Sequence, residues 1–305
     1  MDAVHDTPDP VAAIDIGTNS VKCLVARVRD GAVEEPLLDT SVTTRLGEGL
    51  GGTGRLNAIA IERTAQCVAE LVASAHRLYA QRIRITGTSA VREAANPEGL
   101  TRRIHELCGL GVDILPGEEE ARLAYLGAVG ASARRVAIID VGGGSTEWAV
   151  GEGSRIAWRH SYPAGAVRFT EKYFRSDPPT PAEVDDAARA AGDMFQSAPC
   201  AESVPVVAVG GTARTVALVA LGGEGTAEGF EVAIPELRRQ IALYASMDLI
   251  HRREIPGIEA HRAEIVIAGA IVLAAAITQA GVPGARCTLR GLRHGIVLEL
   301  ASRPF

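Results

Sequence analysis

Two stretches of this chain follow one plan. Asp15-Ile16-Gly17-Thr18-Asn19-Ser20 and Asp140-Val141-Gly142-Gly143-Gly144-Ser145 both read Asp-apolar-Gly-x-x-Ser, and their aspartates lie 125 positions apart. Each ends one apolar run (Val11 to Ile16; Arg135 onward) and precedes another (Val21 to Val28; up to Val150). A short apolar run, a small-residue turn and a second run predict a strand, a tight turn and a strand. Repeated at a domain-sized interval, this restricts the fold to two related α/β units whose turns face a shared cleft. The 305-residue length agrees, since a domain takes roughly 150 residues.

The remaining pattern alternates strands with helices, as an α/β architecture requires. Ile61, Ala65, Val68, Val72, Ala75 and Tyr79 predict one helical face over Ile59 to Tyr79. Arg82 to Thr86 reads as a strand, and Asn96-Pro97 as an N-cap with proline at the first helical position. Thr180-Pro181-Ala182-Glu183 is a capping box that starts another helix. Val204 to Val209 reads as a strand ending at Gly210-Gly211-Thr212, with a helix from Ala213. The apolar run Ile265 to Ile277 spans 13 residues. A membrane span needs about 20, so a buried core helix is expected, in preference to a dimer face. The chain reads as folded throughout, apart from about the first eight residues.

Composition excludes several classes. With 31 Lys+Arg against 37 Asp+Glu, the net charge of −6 provides no field for collecting nucleic acid. Five scattered cysteines without a Cys-x-x-Cys pair fit reduced thiols, with no disulfide framework or zinc site. The seven histidines show no ligand spacing, and His251 and His261 are expected at the surface. The start, MDAVHDTPDPVAA, lacks the basic and apolar regions of a signal peptide. A cytoplasmic protein without membrane contact is expected.

The paired turns suit phosphate. Glycine lets backbone approach a ligand, and successive N–H groups in a tight turn form an anion nest. Thr18, Asn19, Ser20, Ser145 and Thr146 add donors, while Asp15 and Asp140 suit Mg²⁺ completed by phosphate oxygens. The same residues also suit hairpin turns in which Asp and Gly supply geometry alone. A dinucleotide fingerprint is broken at Glu147, and no Walker A sequence occurs. Glu118-Glu119-Glu120 opens a helix through Val129; the three acids complement its dipole, or one of them serves as a general base. Thr86 to Arg92 places hydroxyls, Ser89 among them, and a guanidinium after a strand, for phosphate contact or a surface ion pair. Arg290, Arg293 and His294 either line the cleft or cap a final helix from Gly295.

Taken in order, AAIDIGTNSVKCLVA from Ala12, GTSAVREAAN from Gly87, LPGEEEARLAYLGA from Leu115, AIIDVGGGSTEWAV from Ala137, AVGGTARTVA from Ala208 and GLRHGIV from Gly291 cover nearly the whole chain. This set resembles the exopolyphosphatase and guanosine pentaphosphate phosphohydrolase family of the actin-like ATPase and sugar kinase superfamily. The resemblance implies an α/β fold of two ribonuclease-H-like domains flanking a phosphate-binding cleft. The first would span 1–130 and the second 131–290, with a helix over about 291–305 packing back on the first. It implies Mg²⁺-dependent release of terminal phosphate from inorganic polyphosphate, or of the 5′-γ-phosphate from guanosine pentaphosphate. Glu120 matches the catalytic carboxylate, and Asp140 and Glu147 match acids associated with metal and water, with Asp15 as a further metal candidate. Gly17, Thr18, Asn19, Ser20, Gly142, Gly143, Gly144 and Ser145 match the phosphate turns, and Arg92 a phosphate-contacting arginine. Ser89, Gly211 and Thr212 complete the phosphate-binding set, with Gly210 shaping the cleft.

Longer relatives carry a further helical region that grips long polymers. The sequence ends at Phe305, so a preference for short chains is expected. Arg293-His294 stand where many relatives have an acid before glycine, which leaves that motif without a role. Water attack with Glu120 as base is the expected mechanism. Two other readings stand beside it, a non-catalytic polyphosphate or alarmone sensor and an ATP-dependent kinase on the same fold. A homodimer is left open.

Overall fold

The computed structural model describes residues 8–130 and 134–302. Most of the expected irregular start, and the junction at residue 131, lie outside the described residues. In the first half, β1 (Val11–Ile16) and β2 (Ser20–Ala26) form a hairpin, joined by β3 (Leu38–Thr43), β4 (Arg82–Gly87) and β5 (Val112–Ile114). The sheet order is β3-β2-β1-β4-β5, with β1 antiparallel to β2 and parallel to β4. Its helices are α1 (Ala58–Arg77), α2 (Ser89–Glu93), α3 (Pro97–Cys108) and α4 (Gly117–Val129).

The second half repeats the plan with β6 (Arg135–Val141), β7 (Thr146–Glu152), β8 (Arg155–Tyr162), β9 (Val206–Val209), β10 (Glu231–Ala233) and β11 (Gly284–Cys287). These run β8-β7-β6-β9-β11-β10, so the first five positions reproduce the other sheet and β10 adds an antiparallel edge. The helices are α5 (Ala166–Tyr173), α6 (Pro181–Phe195), α7 (Gly210–Ala220), α8 (Ile234–Ala245) and α9 (Val266–Gln279), followed by α10 (Leu292–Ser302). The fold is two ribonuclease-H-like units, as the resemblance implied.

Strand alternation explains the layers. Ala12, Ile14 and Ile16 point into a core under α1 and α3, while Val11 and Ala13 point to α4 and α10. In the second half Ala137, Ile139 and Val141 join a core with Trp148, Phe195 and α9, and Ile138 packs with Ala124 and Tyr125 of α4. Helix α9 is buried along most of its length, as its apolar run required. Helix α4 thus packs against both sheets, and α10 returns to the first.

Local expectations need several corrections. The second strand stops at Ala26, two residues short of Val28. The helix expected to reach Tyr79 ends at Arg77; Tyr79 takes a left-handed φ of 59° and is 78% exposed, so it leaves the buried face. Asn96 precedes α3 without capping it, because its side-chain amide bonds the Leu56 N–H (2.8 Å) and carbonyl (3.1 Å) instead. The capping box at Thr180 forms as expected. Two helices begin three residues early, at Gly210 and Leu292.

Helices α4 and α10 touch backbone to backbone. A Cβ on Gly127 would lie 2.0 Å from the Gly291 carbonyl oxygen, and one on Gly295 would lie 1.9 Å from that of Leu123. Neither backbone atom can rotate aside, so a methyl must part the helices. Gly295→Ala is expected to destabilise the chain by about 1–3 kcal/mol or more. Urea unfolding checks this, and an unchanged midpoint would show that the helices tolerate separation.

Candidate active site

The alternation that builds the layers also aims the acids. Asp15 ends β1 on the face of Val11 and Ala13, and Lys22 shares the face of Leu24 and Ala26, both toward α4 and α10. On the second sheet Asp140 shares the face of Ile138, and Glu147 that of Ala149, toward α4. Hairpin register sets Asp15 opposite Lys22 and Asp140 opposite Glu147. One seven-residue spacing gives an acid–base pair in the first half and an acid–acid pair in the second.

Helix α4 delivers the fifth group. Glu118 is exposed, Glu119 is paired with Arg122 at 2.6 Å, and Glu120 is buried at 7% exposure in the cleft. Its Oε2 accepts from Arg92 Nη1 at 2.9 Å, and the same nitrogen donates to the Leu115 carbonyl at 2.8 Å.

Both turns close alike, by Gly17 N–H to Ser20 O (3.0 Å) and Gly142 N–H to Ser145 O (2.9 Å). Their carbonyls are bonded away from the cleft. Thr18 O accepts from Gly47, Asn19 O from Thr44 and Arg45, Gly142 O from Ala166, and Gly143 O from Val167. The N–H groups of Thr18, Asn19, Gly143 and Gly144 have no acceptor among the described residues. Such a set of donors is an anion nest on each side. The turns abut closely: a Cβ on Gly144 would lie 2.4 Å from Ser89 Oγ and 2.6 Å from Thr18 Oγ1, so any side chain there must push both hydroxyls aside. Across the rim, Arg45 pairs with Glu264 at 3.1 Å, Gly49 N–H donates to Glu171 at 2.8 Å, and Arg168 pairs with Glu93.

The cleft brings together Asp15, Gly17, Thr18, Asn19, Ser20, Ser89, Glu120, Asp140, Gly142, Gly143, Gly144, Ser145, Glu147 and Gly211. Two expected phosphate contacts stand apart. The Thr212 hydroxyl donates to the Val141 carbonyl at 3.2 Å, because the first turn of α7 directs it into the core. Arg92 lines a separate hollow behind Glu120. Of the C-terminal cluster, Leu292 reaches the cleft; Arg293 pairs with Asp39, and His294 is buried.

Two cations in the cleft went unread in the sequence, Lys22 and Arg262. Lys22 was accessible in principle, since it sits seven residues after Asp15 as Glu147 does after Asp140. Arg262 carries no local signal. The fold sets its guanidinium over Gly211, and it makes no ion pair among the described residues. Burial holds its pKa below the ordinary arginine value.

Burial dominates the acids. It raises Asp15 to about 6, against the opposing pull of Lys22, with Asp140 adding to the rise. It raises Glu147 to about 7, with Asp140 adding to it while Ser145, Ser161 and Arg92 oppose. Glu120 lies well above its ordinary value, first through burial and then through Glu147, despite Arg92. Asp140 is raised by burial against Lys22 and Arg293. Loss of hydration disfavours each charged form, and neighbouring carboxylates add to it.

Among the described residues no three His, Cys, Asp or Glu side chains converge closely enough to hold a metal alone. Asp15 Oδ1, however, is buried without a hydrogen-bond partner, as is Asn19 Nδ2. Mg²⁺ is commonly held by one or two carboxylates plus phosphate oxygens and water. The set fits an ion shared with a phosphate ligand.

Paired donor nests, facing acids and a buried carboxylate at one end of a two-lobed cleft define a phosphoryl-handling enzyme. Residues 24–303 match the model of the Ppx/GppA phosphatase family. The chain is 32% identical to exopolyphosphatase 2 of Mycobacterium tuberculosis, over 95% of this chain and 98% of that protein. It is 29% identical to the guanosine-5′-triphosphate,3′-diphosphate pyrophosphatase of Photobacterium profundum, over 96% of this chain and 59% of that one. The crystal structure of the Aquifex aeolicus Ppx/GppA family member superposes with a TM-score of 0.81 at 27% identity, covering 96% of this chain and 97% of that one. The chain belongs to the Ppx/GppA phosphatase family and is an enzyme of it.

The raised Asp15 has a measurable consequence. Its folded pKa of about 6 exceeds the ordinary 3.8, so between these values the folded state holds a proton that the unfolded chain has released. Its contribution to stability therefore falls as pH rises through that window, and the deficit is complete above it. In EDTA, Asp15→Asn is expected to stabilise the chain at pH 8 by about 1–3 kcal/mol and to change little near pH 4. Chemical denaturation at the two pH values checks this, and a midpoint at pH 8 that is unchanged or lower would contradict it.

Proposed function

We propose that this chain hydrolyses the terminal phosphoanhydride of short inorganic polyphosphate, with Mg²⁺ as cofactor and Glu120 as base. The observation that carries this reading is Glu120 itself, a buried acid of raised pKa beside two facing donor nests. A carboxylate with a raised pKa is a stronger base when ionised, and burial keeps bulk water from competing. Asp140 and Glu147, with Asp15 across the cleft, would hold the ion, which supplies positive charge to the phosphoryl oxygens.

The chain's own groups do the rest. Glu120 orients a water and takes its proton as the water oxygen bonds the terminal phosphorus. The bond to the bridging oxygen breaks, and that oxygen leaves on the shortened chain. The N–H groups of both turns, Ser145 and Lys22 hold the transferring group, and Arg262 holds the next phosphate. Lys22 and Arg262, with the Glu264-paired Arg45 at the rim, form a short basic track, which favours short polymers. The relatives named for polyphosphate and for guanosine-5′-triphosphate,3′-diphosphate support both substrate classes.

Phosphate release measured across polyphosphate lengths and guanosine pentaphosphate, with and without Mg²⁺, tests the reading. Glu120→Gln is expected to lower kcat by roughly 10²–10⁴-fold while substrate still binds. Near-normal turnover by that variant would remove the base assignment. Tight binding by the unmodified chain without phosphate release would identify a non-catalytic sensor.

Arg262→Ala is expected to raise KM by roughly tenfold or more, with a smaller change in kcat, because it removes a charge-assisted contact outside the reacting group. Steady-state kinetics on a short polyphosphate checks this. An unchanged KM would place Arg262 outside the substrate track.

A further inference from the structure

Behind the cleft lies a second, open hollow lined by Arg92, Glu93, Gly117, Glu118, Ser161 and Pro163, with Ser145 and His160. Ser145 belongs to both spaces. Two side-chain contacts form the wall between them, Arg92 to Glu120 at 2.9 Å and Ser161 Oγ to Glu147 Oε1 at 2.8 Å. The outer rim is open, since Glu93, Glu118, His160 and Pro163 are exposed.

We propose that this hollow is the exit port for the orthophosphate product, with Arg92 as its gate. The proposal rests on the hydrolase reading above. When the terminal phosphate is cut, the remaining polymer still fills the cleft in front of it, and the contacts of Arg45 and Gly49 narrow the rim there. A product held behind the polymer therefore has the wall beside it as a way out that does not pass the polymer. Orthophosphate carries more negative charge than the Glu120 carboxylate and competes with it for the same guanidinium. Arg92 can follow the anion outward because its side chain already lines the outer hollow and is 23% exposed. The path beyond is a passage and not a store. No side chain caps the first turn of α4 there, which leaves N–H groups to an anion, but Glu118 in that turn and Glu93 at the rim repel it. Glu93 is partly neutralised by Arg168, and it accepts from Ser89 at 2.8 Å. Weak holding along a charged passage is what a product port requires.

The test obstructs the passage without touching the cleft. His160→Trp and, independently, Glu118→Trp place a large side chain at the rim, each at an exposed position outside the catalytic set. Rapid-quench measurement of the first cleavage of polyphosphate is compared with steady-state orthophosphate release. Both variants are expected to cleave the first bond within about twofold of the unmodified chain but to release phosphate at least roughly tenfold more slowly, with a burst near one per site. Steady-state release unchanged in both variants would overturn the proposal, and so would a first cleavage slowed as much as release. If the unmodified chain frees no orthophosphate at all, the hydrolase reading itself falls and the port falls with it.

Discussion

Four carboxylates, Asp15, Glu120, Asp140 and Glu147, are drawn from both halves of the chain into one buried cleft, and their mutual repulsion must be balanced by everything around them. Burial alone pushes all four toward the neutral form. Lys22 and Arg92 oppose that shift from within hydrogen-bonding or coulombic reach, and Arg293 does so from further off. Such an arrangement lowers stability and persists because the surrounding framework enforces it. It also leaves the cleft short of positive charge, so a ligand that brings a cation and donates phosphate oxygens relieves the strain.

The framework is the α4–α10 layer. Because the strands alternate, an acid at the end of β1 and one at the end of β6 both turn toward this layer. Helix α4 packs Leu123 against the first half and Ala124 and Tyr125 against the second. Glu120 lies one turn before these residues, so its position is tied to both sheets at once. The backbone contacts at Gly127 and Gly295 fix the spacing of the two helices to well within a side chain's width. Beyond these, Arg122 pairs with Glu119 and with Glu299 of α10. A shift between the halves would therefore move Glu120 relative to both nests together.

Much of this was legible in the sequence for a physical reason. A tight hairpin has few registers, and strand parity then dictates which face each residue takes; Asp15 and Asp140 follow from the repeated turn. The capping box at Thr180 forms because both halves of the motif are local. Where a partner lay far along the chain, the sequence was silent. Asn96 has the composition of a cap, yet Leu56 takes its amide. Thr212 sits in a glycine turn, yet the turn belongs to a helix that buries its hydroxyl. Arg262 enters the cleft only because the segment before α9 folds over Gly211. In the run Glu118 to Glu120 the acids are alike in sequence, and helix geometry alone gives one to solvent, one to Arg122 and one to the cleft.

A net charge of −6 provides no field for collecting nucleic acid, and the cleft shows how an acidic chain can still offer a site for phosphate. Attraction at long range is screened within about 10 Å at ordinary salt, so net charge governs encounter more than grip. Grip depends on donors in contact, and here those are mainly backbone N–H groups that contribute nothing to the formal charge. Both nests are supplied by glycine-rich turns whose carbonyls are bonded elsewhere, so each turn presents its donor side alone. An acidic protein can hold phosphate in this way while staying unattractive to extended polyanions. The same arrangement makes selectivity local, because only an anion small enough to sit between two abutting turns reaches all of the donors together.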